Sequence, residues 1–568
     1  MTAAEKSLLV SLFAGCLALL PCSASAADKP PRLVLQITVD ALRGDLPRRF
    51  LPNMGEGGFR YLVDKGVHYS NAHYEHGNTE TIVGHSSLAT GTTPALHGMV
   101  GNVWFDKDAG RLIYNVEDDR YHLLSRNADV DQSTEIDPTQ RAAQADGRSP
   151  RALLTSTFSD ELAYAYNGKA KVFAVSVKDR GAIPLAGQTG KAFWFSKAAG
   201  EFITSNYYYE RYPDWVTRWN QSKAVAQYSG KSWELLRDQQ NYLFGSDDDQ
   251  PWETDFPGFG RTFPHPWGEA GDKYFTTRLT LGPAGDQLTL DFAKTLIASE
   301  ALGQDDIPDY LAVSFSSNDY VLHVFGPASL EAEDNLLRLD RTLAELFSYI
   351  DQTVGLDNTL VVLSADHGAP DAPPYLQRLG DRNARYFDMG QCLETVNAAD
   401  LGKRFGTKEQ LIKQYAHPYV YLDEELIERE NLDKNAIAAA VAGRFRRCAG
   451  VNDTITAEDT LHSPARNRVV EARVWNNFNA RRSGDVYVVL DSGVYVNDFD
   501  GLIVASVHGS PWNYDTHVPI LFAGPGIKPG AQSRRVSPYD IAPSLSARLG
   551  IDPPSGAIGN PLAEVLNH

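Results

Sequence analysis

Apolar runs that lead into a carboxylate or an imidazole constrain this chain more than any other feature of its sequence. Residues 33–39 form an apolar run that ends at Asp40, and residues 360–364 lead into Asp366 and His367. Continuous runs of this kind are typical of central strands that are covered on both faces. Because α/β sheets collect functional groups at strand ends, we expect these side chains to lie at one edge of a sheet.

The order of strand and helix patterns indicates the fold class. Further strand candidates lie at 172–177, 310–315, 486–490 and 520–522. Helical patterns lie between several of them, and the clearest, at 330–350, places Leu336, Leu339, Leu343 and Leu346 on one face. Another runs from residue 538 to 549. Strands that alternate with helices predict an α/β fold with a mostly parallel central sheet flanked by helices.

One long segment departs from this alternation. Residues from about 181 to 281 are rich in Trp, Tyr, Asp and Gly and are weakly periodic. A bare loop of this length is uncommon inside a compact domain. We therefore expect one catalytic domain at 27–568 with a large insertion near the active site. The insertion either shapes substrate access or is a plain structural elaboration.

The N-terminus reads as an export signal. Lys6 precedes a mostly apolar stretch at 8–20, and Ala24-Ser25-Ala26 is a small-residue cleavage motif. A membrane anchor is the alternative, but the stretch is shorter than the ~20 apolar residues that a span needs. We predict a signal peptide at 1–26, a periplasmic or secreted mature protein, and no membrane partner.

Two cysteines remain after removal of the signal, Cys392 and Cys448. In an oxidising compartment they could form a disulfide. They could equally be two independent small apolar residues, and their spacing does not resemble a metal knuckle.

The composition limits the function classes. The chain has 568 residues, with 43% hydrophobic and 22% charged residues, which is ordinary for a soluble enzyme. Its net charge of -19 argues against a general nucleic-acid binder. An acidic surface also repels phosphate esters, so a phosphate site would need local positive charge from metals, Lys or Arg.

The carboxylates and imidazoles fall into two sets of potential metal ligands. Asp319 and His323 lie one helical turn apart, and His517 follows late in the chain. Carboxylate and imidazole together suit zinc. Two such sets, with the residues at the strand ends, indicate a two-metal site, which is common in enzymes of phosphoryl transfer.

Thr81 is the candidate nucleophile. The stretch 78–85 looks like a turn that leads into a helix, with Thr81 at the helix start. Unpaired N–H groups at that position favour an anion. A threonine hydroxyl bound to zinc could ionise there and attack a substrate. Taken alone, a threonine in this position is more often a plain N-cap.

Several motifs, taken in order, resemble one family. They are Val-Asp40, Thr81-Ile-Val-Gly-His85, the stretch from Thr90 to Asn102, Lys178-Asp-Arg180, Asp319-x-x-x-His323, Asp366-His367-Gly and Asp515-Thr-His517. The chain resembles the alkaline phosphatase superfamily, and is most similar to the bacterial alkaline phosphatases that have a Thr nucleophile and a Lys-x-Arg pair. This branch is related to the type I phosphodiesterases and nucleotide pyrophosphatases. The resemblance covers almost the whole mature chain and implies an alkaline-phosphatase-like fold.

The resemblance implies two zinc ions per chain and a phosphothreonine intermediate on Thr81. The implied zinc ligands are Asp319, His323 and His517 at one site, and Asp40, Asp366, His367 and Thr81 at the other. The implied phosphate-binding residues are Asn102, Lys178 and Arg180. Three further histidines, His85, His97 and His508, are expected to be structural or to support the ligands.

Lys178 and Arg180 decide the predicted subclass. On a strand end, side chains two residues apart would face the same way. Two cations suit the greater charge of a monoester, and Arg adds bidentate recognition. The resemblance implies that diesterases typically lack the pair, and that it occupies the place of the magnesium ion found in some relatives.

We therefore predict a monomeric phosphomonoesterase that acts on small-molecule phosphate monoesters. One alternative is a phosphodiesterase or nucleotide pyrophosphatase that uses the same metals and Thr81. A second is a non-catalytic, metal-dependent binding protein of the cell envelope.

Overall fold

A nine-stranded mixed sheet forms the centre of the protein. The computed structural model describes residues 30–397, 400–462, 468–499 and 501–566, so the predicted signal peptide lies outside the described residues. In chain order the strands of this sheet are β1 (Leu33–Val39), β2 (Val67–His73), β3 (Val172–Ser176), β4 (Lys191–Ser196), β5 (Glu201–Ile203), β6 (Asp309–Phe315), β7 (Thr359–Ser364), β8 (His517–Ala523) and β9 (Gly530–Gln532). Their order across the sheet is β9-β2-β8-β7-β1-β6-β3-β4-β5.

The middle of the sheet is parallel, as predicted. Strands β7, β1, β6, β3 and β4 run in one direction. Strand β8 is antiparallel to both of its neighbours, and β5 is antiparallel to β4. The register pairs Val39 with Phe315 and Thr38 with Ser364, so β1, β6 and β7 end at the same edge.

Helices cover both faces of the sheet. The longer helices are α1 (Thr81–Thr90), α2 (Phe158–Ala165), α3 (Asp179–Ala186), α4 (Asp214–Gln221), α5 (Pro283–Glu300), α6 (Ser317–Phe325), α7 (Leu330–Thr353), α8 (Met389–Val396), α9 (Lys434–Phe445), α10 (Val469–Asn477) and α11 (Ile541–Leu549). Leu33, Leu35 and Ile37 of β1 pack in one hydrophobic core, while Val34 packs in a second core on the opposite face. The apolar run of β1 is therefore that of a strand buried on both sides.

A second, four-stranded antiparallel sheet has its own hydrophobic core. Its strands are Ile412–Ala416, Tyr419–Leu422, Val451–Thr456 and Val486–Leu490. The predicted strand at 486–490 is thus present, but it does not belong to the central sheet. Helices α8 and α9 pack on this sheet, and a disulfide joins Cys392 on α8 to Cys448.

The predicted insertion at 181–281 begins too early. Strands β4 and β5 fall within that range and extend the central sheet. Beyond them, α4 and a ribbon of Ser232–Trp233 paired with His265–Pro266 lead to α5. The sequence analysis misses β4 because its aromatic residues resemble those of the irregular segment after it. In the part of the chain that the structure describes, no helix has both the length and the apolar character needed to cross a membrane.

Candidate active site

Polar side chains from three adjacent strand ends lie at the carboxyl edge of the central sheet. Asp40 directly follows β1, and Asp366 and His367 follow β7. Asp319 and His323 lie on α6, which begins two residues after β6 ends. Because β6 and β7 flank β1, the chain brings these side chains together from positions far apart in sequence.

The first cluster, called the Asp366 group, consists of Asp40, Asp366 and His367. All three residues are fully buried, and one ligand atom from each lies within 4.8 Å of the others. His367 Nε2 lies 3.5 Å from Asp40 Oδ1 and 3.4 Å from Asp366 Oδ2. Ligand atoms at ~2.0 Å from a tetrahedral zinc ion are about 3.3 Å apart, so this spacing fits a bound metal.

The second cluster, called the Asp319 group, consists of Asp319, His323 and His508. Asp319 Oδ2 lies 3.3 Å from His323 Nε2, and Asp319 Oδ1 lies 3.5 Å from His508 Nε2. The first distance follows from the i, i+4 spacing of the two residues on α6. The third member comes from the loop that follows the Leu502–Ile503 strand. These separations fit a second metal site of the same kind.

The three histidines of the two groups share one hydrogen-bonding arrangement, in which Nδ1 lies beside a backbone carbonyl oxygen. The pairs are His323 with Ser506 at 2.7 Å, His367 with Gly368 at 2.9 Å and His508 with Thr79 at 2.8 Å. Because a carbonyl oxygen can only accept, Nδ1 carries the proton in each ring. The lone pair of each Nε2 then faces the carboxylates, as in a histidine that binds metal.

The structure corrects one predicted ligand, because His517 does not belong to the Asp319 group. His517 opens β8, where its ring stacks on His73 with centroids 4.8 Å apart. Its Nε2 atom contacts the carbonyl oxygen of Ser70 at 3.1 Å. That nitrogen therefore donates a hydrogen bond, while His508 lies with Asp319.

His508 could not be found from periodicity because it lies in a loop. We expected it to be structural or supporting, and its place in the Asp319 group corrects that expectation. One signal is present in the sequence. His508-Gly509 follows the mostly apolar residues 502–507, as His367-Gly368 follows the run at 360–364.

The charges in the site are unbalanced without added cations. Lys178 Nζ lies 2.9 Å from Asp40 Oδ2 and 2.5 Å from Asp319 Oδ2, so one ammonium faces the carboxylates of both groups. Burial and the neighbouring charge of Asp366 raise the pKa of Asp40 well above its ordinary value. Among the described residues, the buried atoms Asp40 Oδ1, Asp319 Oδ1 and His367 Nε2 have no hydrogen-bond partner. Buried carboxylates in this situation require metal ions or further positive charge.

The remaining pKa shifts also favour metal binding. Burial opposes ionisation of Asp319, but its contacts with His323 and Lys178 bring its pKa well below the ordinary value. Burial lowers the pKa of His367, and burial together with the neighbouring His367 ring lowers that of His508. Ionised carboxylates and neutral imidazoles are the forms that bind metal.

Thr81 occupies the predicted position at the start of α1. It is the first residue of the helix, and Glu80 is the N-cap residue. The hydroxyl of Thr81 is fully buried and has no hydrogen-bond partner among the described residues. It therefore does not cap the helix, and a buried hydroxyl without a partner is unusual unless a ligand satisfies it.

Asn102 is held beside Thr81 in a fixed orientation. Its Oδ1 atom accepts a hydrogen bond from the backbone N–H of Ile82 at 3.1 Å. The other end of the amide, Nδ2, is the donor end. Glu80 accepts a hydrogen bond from the Asn102 backbone N–H at 2.5 Å, and burial raises the pKa of Glu80 to about 7. Asn102 can thus donate to an anion near Thr81.

Comparison with known proteins identifies the family. A model of the family described as type I phosphodiesterase / nucleotide pyrophosphatase matches residues 34–510. The chain belongs to this family. Alkaline phosphatase PhoV of Synechococcus elongatus is 35% identical, over 94% of this chain and 93% of its own length. A protein of Myroides odoratus named calcium-transporting ATPase is 34% identical, over 96% of each chain.

A solved structure of an alkaline phosphatase has the same fold. The crystal structure of wild-type alkaline phosphatase PafA matches with a TM-score of 0.85 and 33% sequence identity. The match covers 95% of this chain and 99% of that one. The predicted relationship to the alkaline phosphatases and the alkaline-phosphatase-like fold are therefore confirmed.

Lys178 and Arg180 do not lie where we predicted. Strand β3 ends at Ser176, so Lys178 is the N-cap residue of α3 and Arg180 lies in its first turn. The two side chains do not share a strand face. Arg180 forms an ion pair with Asp137 at 2.7 Å, whereas Lys178 contacts the carboxylates of both metal-ligand groups.

Proposed function

We propose that this chain is an alkaline phosphatase that hydrolyses small-molecule phosphate monoesters with two zinc ions. The main support for the proposal is that one segment, residues 79–85, contacts both metal-ligand groups. His85 Nδ1 lies 3.1 Å from Asp366 Oδ2, and the Thr79 carbonyl oxygen accepts from His508. Thr81 lies between these two contacts in the chain, and its hydroxyl has no hydrogen-bond partner among the residues that the structure describes. Relatives named alkaline phosphatase support the same activity.

The residues fit zinc by their chemistry and spacing. The Asp366 group would hold one ion and the Asp319 group the other, with ligand-to-ligand separations of 3.3 to 3.5 Å. Mixed carboxylate and imidazole donors suit this metal. When bound, two zinc ions would lower the pKa values of the Thr81 hydroxyl and of a water, and would offset charge on the leaving oxygen.

The residues of the chain then have distinct roles in two displacements. Thr81 Oγ1 gives its proton to solvent and attacks phosphorus, the bond to the leaving oxygen breaks, and that oxygen takes a proton from solvent. Water next gives up a proton and attacks phosphorus of the phosphothreonine, and Thr81 Oγ1 leaves and regains a proton. Asn102 donates to a non-bridging oxygen, while Lys178 and Arg180 neutralise the others. Positioning and charge compensation dominate this kind of catalysis.

Buried cations favour the monoester over the diester. Lys178 and Arg180 are 1% and 3% exposed, and two buried cations at the carboxyl edge of the sheet suit a doubly charged phosphoryl group. The family description leaves a second candidate, hydrolysis of diesters by the same Thr81. A diester exposes fewer anionic oxygens and gains less from this pair.

We further propose that residues 1–26 direct export and that the mature chain acts as a monomer in the periplasm or outside the cell. The apolar stretch at 8–20 and the Ala-Ser-Ala motif support a signal peptide. The disulfide between Cys392 and Cys448 also suits an oxidising compartment.

Substitution of Thr81 tests the mechanism directly. We expect Thr81→Ala to lower kcat for an aryl phosphate by about 10³-fold or more, because the attacking oxygen is lost. Thr81→Ser should keep a measurable share of the activity and, like the wild type, yield a phosphorylated peptide containing residue 81 after acid quench. Near-normal turnover by Thr81→Ala would show that Thr81 is not the nucleophile.

A further inference from the structure

Three buried serines form a continuous hydrogen-bonded row beneath the site. We call Ser176, Ser314 and Ser316 the serine row. Ser314 Oγ lies 3.0 Å from Ser316 Oγ, which in turn lies 3.1 Å from Ser176 Oγ. All three are fully buried, at the ends of β3 and β6 and in the turn after β6. The row therefore crosses between two parallel strands where both approach the site.

Each end of the serine row contacts a different part of the catalytic apparatus. At one end, Ser176 Oγ accepts from the backbone N–H of Lys178 at 3.1 Å. At the other end, Ser314 Oγ lies 2.8 Å from His85 Nε2. The opposite nitrogen of that ring, Nδ1, lies 2.9 Å from the Thr81 carbonyl oxygen and 3.1 Å from Asp366 Oδ2.

The contacts of His85 set the direction of the hydrogen bonds in the row when that ring is neutral. The Thr81 carbonyl oxygen can only accept, so Nδ1 carries the proton and Nε2 accepts from Ser314. Because each hydroxyl has one proton, Ser316 then donates to Ser314, and Ser176 donates to Ser316. Ser176 also accepts from the N–H of Lys178. One consistent set of donors and acceptors runs from Lys178 to Asp366.

Two features show that this arrangement is not a by-product of strand ends. Ser316 is the N-cap residue of α6, yet its side chain makes no capping hydrogen bond. A serine at that position normally accepts from the first turn of the helix. In addition, a Cβ atom at Gly181 would lie 2.7 Å from Ser176 Oγ and 3.3 Å from Ser314 Oγ, so a larger residue there would crowd the row.

We propose that the serine row is a set of positioning residues that couples Lys178 to Thr81 and Asp366. The row keeps the N-terminus of α3, and with it the Lys178 ammonium, in a set position relative to the nucleophile. This inference rests on the proposed phosphatase function, since it assigns the row a role in placing that reaction's phosphate-binding cation.

The test is a double-mutant cycle with Ser316→Ala and Lys178→Ala. Loss of the middle hydroxyl breaks two contacts, and we expect kcat/KM for an aryl phosphate monoester to fall about tenfold. In the Lys178→Ala background the same substitution should cost about twofold or less, because the side chain that the row places is already absent. For a diester with the same leaving group, the loss in the wild-type background should also be smaller.

Ser544→Ala is the matched control for loss of a buried hydroxyl. Ser544 is fully buried, donates to the Asp540 carbonyl at 2.6 Å and lies on α11, outside the site. Its variant should lose a similar amount of thermal stability and keep wild-type kcat/KM. If Ser316→Ala does not fold, Ser176→Ala breaks the adjacent contact and takes its place in the cycle.

The outcomes separate this inference from the function itself. Full activity of Ser316→Ala, or an equal fold-loss with and without Lys178, would overturn the positioning role while the enzyme stayed a phosphatase. A wild-type protein that does not hydrolyse monoesters would refute both proposals. A loss that depends on Lys178 supports the coupling.

Discussion

At the scale of single residues, the nitrogen that donates a hydrogen bond decides which histidines can bind metal. His323 and His508 both place Nδ1 against a carbonyl oxygen, which leaves Nε2 for a ligand. His517 instead places Nε2 against the Ser70 carbonyl. The sequence predicted His323 and His517 as metal ligands and His508 as a structural or supporting residue. A sequence does not show which ring nitrogen carries the proton. Backbone carbonyls supplied by the fold select between them.

Metal content should distinguish His508 from His517. We expect His508→Ala to lose one of two bound zinc ions per chain, because the Asp319 group would keep only one carboxylate and one imidazole. His517→Ala should keep both ions, since its ring packs on His73 outside the group. Elemental analysis of the dialysed variants measures the difference. Loss of zinc from His517→Ala, with none from His508→Ala, would reverse the assignment.

Removal of the buried cations should affect monoesters more than diesters. We expect Arg180→Ala to lower kcat/KM for a monoester by about 10²-fold, and for a diester with the same leaving group by less than about tenfold. Arg180→Lys should recover only part of the loss, because a lysine lacks the planar fork that Asp137 orients in the wild type. Equal losses on the two substrates would show that Arg180 does not discriminate between them.

At the scale of elements, the sequence was informative where local periodicity sets the geometry. The apolar runs of β1, β6 and β7 predicted the edge at which Asp40 and Asp366 lie. The i, i+4 spacing on α6 predicted that Asp319 and His323 share a face. His508 and the turn at Lys178 were not predictable, because loop paths depend on packing between distant segments. The insertion boundary failed for a different reason: the aromatic residues of β4 resemble those of the irregular segment after it.

Helix α7 carries a buried carboxyl cluster that is separate from the metal site. Glu331 lies in its first turn, and Glu253 lies nearby in a segment where Thr254 N–H donates to the Val324 carbonyl at 2.8 Å. Burial, followed by the charge of Glu331, raises the pKa of Glu253 from 4.5 to about 9. Folding therefore favours the protonated acid. The stability that this preference provides is present below pH ~4.5 and is lost as the pH rises through about 9.

Glu253→Gln should consequently stabilise the protein at alkaline pH. The amide stays neutral and can still accept from the Gln250 N–H, which lies 3.0 Å from Glu253 Oε2. We expect a gain of about 2 °C or more in Tm at pH 9.5 and little change at pH 5. Differential scanning fluorimetry of both proteins across this range measures it. A benefit that is largest at acid pH would contradict the sign of the pKa shift.

At the scale of the whole molecule, an acidic protein buries two cations where an anion would bind. The net charge is -19, yet Lys178 and Arg180 are both buried at the carboxyl edge of the central sheet. The fold class and this edge followed from the sequence, since long apolar strands and helices dominate them. The second sheet was not predicted, because the sequence of a strand such as Val486–Leu490 does not show which sheet it joins.

The most direct test of the account is a crystal structure of the zinc-loaded protein with vanadate, using anomalous scattering at the zinc edge. We predict two zinc peaks per chain, one bonded to Asp40, Asp366 and His367 and the other to Asp319, His323 and His508. Vanadium should lie on Thr81 Oγ1. A single metal peak, or vanadate bound away from Thr81, would contradict the two-metal mechanism.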